Sequence, residues 1–133
     1  MQRCVEYNFL SRSYRLMYNG AAMFALNEKF PGLEGVFETI MESTPSGTDA
    51  LYDVWLILAS NGEAVKKWLG YEAVPLPEKD ELAAMSTVDD LVRMRDAVAA
   101  AIMAGLGREY ESKAKVIDLG LEELEKERKK KQA

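Results

Sequence analysis

ALYDVWLILAS, residues 50 to 60, is the stretch that decides how this chain folds. Apolar side chains cover most of the circumference of a helix built on these residues, which is typical of a helix with other elements packed around it. We therefore predict a central helix with Trp55 in the hydrophobic core. Thr48 or Asp49 is expected to cap its start. The pair Asn61-Gly62 is expected to end it.

The segments on either side of this helix predict a short hairpin followed by more helices. Apolar and aromatic residues alternate in residues 5 to 9 and again in 14 to 18, which predicts two strands with one half-buried face. Helical spacing then returns in residues 21 to 30 and 33 to 41, separated by Pro31-Gly32. Short helices are expected near residues 63 to 70 and 81 to 85, and a long one is expected from a capping box at Ser86 or Thr87 to Gly105.

The predicted fold class is therefore mainly α: a small helical domain with a short N-terminal β-hairpin and a projecting charged C-terminal helix. Its core is expected to consist of apolar residues that recur at helical spacing within the predicted helices. These positions are Phe24, Leu26, Val36, Phe37, Ile40, Leu51, Val54, Trp55, Leu58, Trp68, Leu91, Val98 and Ile102.

The charged C-terminal region, residues 108 to 133, is predicted to form a helix outside the domain of residues 1 to 107. Apolar residues lie 4, 3, 4 and 3 positions apart along it, as in a heptad seam, and five Glu residues precede Lys by four positions, which favours a helix. We expect this extension to bind a partner or to form a homo-oligomer through four residues of the seam: Tyr110, Ile117, Leu121 and Leu124.

Composition favours a protein that binds other proteins over an enzyme. The 133 residues contain no His and one Cys, so we expect no catalytic, cofactor-binding or metal site. A net charge of -5 argues against nucleic acid as a partner. The longest nearly apolar run, residues 97 to 106, is about half of a membrane span, so no membrane partner is expected. A lone Cys4 and an N-terminus unlike a signal peptide favour the cytoplasm.

Three segments resemble the tail assembly chaperones of long-tailed bacteriophages and prophages. They are YRLMYNGAAMFALNEKF at residues 14 to 30, LYDVWLILASNGEAVKKWLGY at 51 to 71, and VRMRDAVAAAIMAGLGRE at 92 to 109. In that family an aromatic-bearing strand passes into a helix, and a Trp-containing helix is followed by a second apolar helix. The resemblance covers about residues 7 to 108, and the family has no catalytic motif to match.

The resemblance implies a non-enzymatic assembly factor of the host cytoplasm that is left out of the mature virion. Such a factor binds the tape measure protein, hands over to the major tail protein, and self-associates. A head-tail connector is the nearest alternative, and it would be retained in purified particles. A small transcription regulator would bind duplex DNA in a salt-sensitive way, and an enzyme using carboxylates alone would show two facing acids in a deep pocket.

Overall fold

The computed structural model describes residues 3–108 and 112–118, which contain five helices and a three-stranded antiparallel sheet. The predicted mainly α fold with an N-terminal hairpin is confirmed. In chain order the elements are β1 (Arg3–Phe9), β2 (Arg12–Leu16), α1 (Gly20–Lys29), α2 (Gly32–Ile40), α3 (Pro45–Trp68), α4 (Lys79–Met85), α5 (Val88–Gly105) and β3 (Val116–Asp118).

The hairpin closes through a two-residue turn at Leu10 and Ser11. β1 pairs with β2 so that Phe9 lies opposite Arg12, which leaves only these two residues in the turn. Both have left-handed backbone angles, with φ of 51° at Leu10 and 64° at Ser11. This turn matches the twist of the strands but favours Asn-Gly, because a left-handed conformation costs a side-chain-bearing residue about 1 kcal/mol.

Trp55 lies at the centre of the core, where the inner face of the hairpin meets α3. Its ring makes edge contacts with Tyr7 at 5.7 Å and Tyr14 at 5.3 Å between centroids, and Phe9 packs at 6.4 Å. The alternation of β1 and β2 supplies these three aromatic residues from one face of the sheet. Nine of the predicted core residues are buried and two, Phe37 and Leu91, are partly buried against them; the nine are Leu26, Val36, Ile40, Leu51, Val54, Trp55, Leu58, Val98 and Ile102.

The other two predicted core residues, Phe24 and Trp68, are exposed, so those predictions are wrong. Phe24 is 69% exposed because α1 buries the face that carries Ala22 and Leu26, and a residue two positions from each points the opposite way. Trp68 is 88% exposed because it follows the exposed Ala64 by one helical turn on α3.

α3 is longer at both ends than the sequence indicated. Thr44, rather than Thr48 or Asp49, caps it, by accepting a hydrogen bond from the Gly47 N–H at 3.0 Å. The helix also continues through Asn61-Gly62 to Trp68. The Asn61 side chain donates to the Ile57 carbonyl at 2.8 Å, so this residue is accommodated inside the helix.

The predicted C-terminal helix is wrong at Val116–Asp118, which form β3 on the free edge of β1. Arg3 lies opposite Asp118 and Val5 opposite Val116. The β-branched Val116 and Ile117 suit a strand, and Ile117 is buried beside Cys4 and Met17 on the outer face of the sheet. These three residues therefore belong to the domain and not to a separate extension.

Candidate functional site

α3 lies directly against the outer edge of β2 and covers its backbone. The Met17 N–H donates to the Leu58 carbonyl at 3.0 Å, and one turn later Gly62 meets Arg15. A Cβ atom on Gly62 would lie 1.7 Å from the Arg15 carbonyl oxygen, so only glycine permits this approach. The helix thereby occupies a strand edge that would otherwise be free to pair with another chain.

Glu63 is the buried charged residue at this contact, and it joins three parts of the chain. Its carboxylate accepts hydrogen bonds from the Arg15 N–H at 2.9 Å and from the Val74 N–H at 2.8 Å. The Lys66 ammonium lies 2.9 Å from the same carboxylate. Buried carboxylates of this kind are tolerated when donors surround them, so we assign Glu63 a structural role.

The chain reverses direction immediately after Trp68, and hydrogen bonds to α3 hold the reversal in place. Gly70 adopts a left-handed φ of 88°, and the Tyr71 N–H donates to the Lys66 carbonyl at 2.8 Å. The returning chain is fixed to α3 by the bond from Val74 to Glu63. Trp68 is thus an exposed aromatic residue on a backbone that its neighbours hold in place.

The hairpin turn and the C-terminal end of α3 lie toward the same end of the molecule. Along β2 from Met17 to Arg15, the contacts on α3 advance from Leu58 to Gly62, so the two elements run side by side with opposite chain directions. Continuing past these contacts, the strand leads to Leu10 and the helix leads to Trp68. We call this end the tip surface; its exposed apolar residues are Leu10, Trp68 and Leu69.

Other exposed apolar residues lie outside the tip surface. Met23 and Phe24 are exposed on α1, which follows the opposite end of β2. Val88 and Val92 are exposed on α5, one turn apart. Isolated exposed apolar residues are common on proteins, so those of α1 provide a natural comparison for Trp68.

A second cluster of polar groups joins β1 to α5 in a groove between them. The Tyr7 hydroxyl donates to the Asp90 carbonyl at 3.4 Å, and the Arg93 guanidinium lies 5.7 Å from the centre of the Tyr7 ring. Burial raises the pKa of Tyr7 to about 12, while Arg93 opposes the rise. The Asp90 carboxylate accepts hydrogen bonds from the Thr87 N–H and from the Arg93 guanidinium, and both lower its pKa. Because Thr87 and Asp90 form the predicted capping box, this cluster serves to start α5.

A third polar cluster fastens α4 to α3. The Lys79 ammonium lies 2.7 Å from Asp49 and 3.0 Å from Asp53, and its hydrogen bond to Asp49 is the main cause of its raised pKa. Among residues 3–108 and 112–118, no group of His, Cys, Asp or Glu is arranged to hold a metal ion. Within the same residues, none of the helices combines the length and apolarity needed to cross a bilayer.

The predicted interface of Tyr110, Ile117, Leu121 and Leu124 is not assembled by the described part of the chain. Ile117 is 1% exposed inside the domain, so it is not available to a partner, and the other three lie outside the described residues. Sequence reasoning assigned Trp68 to the core because Val65, Trp68 and Leu69 have helical spacing. The charged Lys67 that precedes Trp68 was the available signal for an outer face.

Comparison of the chain with protein-family models, with curated proteins and with solved structures found no match.

Proposed function

We propose that this protein is a non-enzymatic, protein-binding assembly factor that engages its partner through Trp68. The observation that carries the proposal is the 88% exposure of Trp68 on a fixed backbone. Tryptophan is enriched among the residues that dominate protein interfaces, because it removes a large apolar area from water with few rotatable bonds. An anchor whose backbone is already held before binding also loses less entropy in the complex.

The resemblance to tail assembly chaperones supplies the identity of the proposed partner. We propose the tape measure protein as the bound partner and the major tail protein as its successor in assembly, in the cytoplasm of the host. Self-association is proposed on the resemblance alone, since Ile117 is buried within its own domain and no longer supports an exposed seam.

Binding to the tape measure protein that the proposal expects in the same gene cluster tests the proposal. Purified segments of that protein would be titrated with the wild-type chain and with Trp68→Ala, and binding measured by calorimetry. We expect the substitution to weaken binding by at least tenfold, with circular dichroism and melting temperature almost unchanged, because the side chain is exposed in the free protein.

Phe24→Ala is the matched control, since it removes an exposed aromatic residue from α1. We expect it to bind like the wild type. Wild-type protein that binds no segment, or a Trp68→Ala variant that binds as tightly as wild type, would overturn the proposal. A loss confined to Phe24→Ala would move the partner-binding surface to α1.

A further inference from the structure

We propose that the tip surface as a whole is the partner-binding surface, that Leu10 is a contact residue within it, and that it takes an apolar segment flanked by carboxylates. This inference rests on the proposed function and specifies which part of the partner is bound. Three observations support it: the position of the turn, its backbone strain, and the charges around it.

The position of the turn places Leu10 beyond the end of α3. Five residues of helix, from Glu63 to Trp68, advance by about 7.5 Å. Four residues of strand, from Arg15 to Ser11, advance by about 13 Å. Trp68 is therefore about level with the first residues of β2, and Leu10 lies a little further in the same direction. A partner segment that crosses the end of α3 toward the turn would contact both.

The strain of the turn indicates that its residues serve something other than stability. Leu10 and Ser11 both adopt left-handed φ angles that Asn and Gly adopt at lower cost. Leu10 is also 44% exposed, so it gains only part of the free energy that a buried leucine would. Strained residues persist when they are useful in that conformation, and contact with a partner accounts for an apolar side chain here.

The charges around the tip surface favour an acidic partner segment although the protein carries a net charge of -5. Arg12 and Lys67 are exposed there, and within the described ranges neither side chain has an ion-pair partner. Arg15 and Lys66, by contrast, are neutralised by Glu6 and Glu63. Glu72 is the one carboxylate between Lys67 and Pro75. Complementary charges at the rim of an interface direct the choice of partner and speed association.

The double variant Leu10→Asn/Ser11→Gly separates stability from binding. It keeps the turn conformation and relieves its strain, so we expect the melting temperature to rise by about 3–5 °C. The same variant should bind the tape measure segment at least fivefold more weakly, because the apolar contact is lost. Ser11→Gly alone is the control, and it should raise stability without weakening binding.

The contribution of the two basic side chains, Arg12 and Lys67, is tested with the double variant Arg12→Glu/Lys67→Glu in the same titration. We expect at least tenfold weaker binding at low salt and a smaller difference at high salt, since the rim charges are screened. Wild-type affinity in both double variants, with Trp68→Ala still defective, would overturn this inference and leave the proposed function standing. A wild-type chain that binds no segment, or undiminished binding by Trp68→Ala, would overturn the proposed function itself.

Discussion

Tyr7 shows how one residue links the sheet, the core and α5. Its ring packs against Trp55, its hydroxyl donates to the Asp90 carbonyl, and Arg93 lies over its face. The phenol is 4% exposed, and burial disfavours its charged form, which raises its pKa from 10.0 to about 12. Protonation of Tyr7 is therefore linked to folding.

This linkage predicts a loss of stability at high pH. The folded-state pKa of Tyr7 lies above the unfolded value, so its contribution is complete below pH 10 and is lost as the pH rises toward 12. The free energy of unfolding should fall by about 2–3 kcal/mol across that window because of this residue. Urea unfolding at pH 9 and pH 11.5 measures the effect. Tyr7→Phe cannot ionise, so its decline between pH 9 and pH 11.5 should be smaller by about 2 kcal/mol, because the loss is not yet complete at pH 11.5; equal declines would contradict the assignment.

At the scale of elements, the contact between α3 and β2 organises the fold. α3 closes the open edge of the hairpin through Gly62 and Glu63, while β3 closes the other edge of β1. Both strand edges of the hairpin are thereby covered by the same chain, which limits pairing with other molecules.

Gly62→Ala tests the closeness of this contact. The new methyl group would meet the Arg15 carbonyl, which is backbone and cannot rotate away, so α3 and β2 must move apart. We expect destabilisation by about 3 kcal/mol despite the better helix propensity of alanine. Gly20→Ala is the control, since no atom lies within 4 Å of its added Cβ, and it should be neutral or stabilising. Thermal unfolding that gives equal stabilities for the two variants would contradict the contact.

The same contact explains why the sequence predicted α3 only in part. Residues 50 to 60 are apolar around most of the helix because they pack against neighbours on several sides. The central helix and Trp55 could therefore be identified from the local sequence pattern. Gly62 follows Asn61, and locally this pair indicates a helix end. Position 62 requires glycine because the Arg15 backbone approaches it closely. The two residues are forty-seven positions apart, so a local sequence pattern does not reveal this contact.

β3 and the exposed tryptophan were missed for a related reason. Tertiary pairing decides the structure of Val116–Asp118, because the free edge of β1 and the space beside Cys4 are available to Ile117. The heptad spacing of this region indicated a helix, and that local preference was overridden. Trp68 has the spacing of a core residue, but it lies on the face of α3 that carries Ala64, and that face is exposed.

At the scale of the whole molecule, the tip surface differs from the rest of the domain. The protein is acidic overall, whereas Arg12 and Lys67 border Trp68 and Leu10 at this end. α1, with the exposed Phe24, follows the opposite end of β2. A partner bound at the tip surface would therefore leave α1 untouched. The proposed binding mode thus predicts which residues change on binding and which do not.

Backbone amide NMR of the full chain, titrated with a segment of the proposed tape measure partner, tests this binding mode most directly. We predict that the largest shift changes fall on residues 9 to 13 and 66 to 72, and that α1 residues 20 to 29 change little. Changes concentrated on α1, or spread evenly over the domain with none at the tip surface, would contradict the claim that this protein binds its partner through the end that carries Trp68.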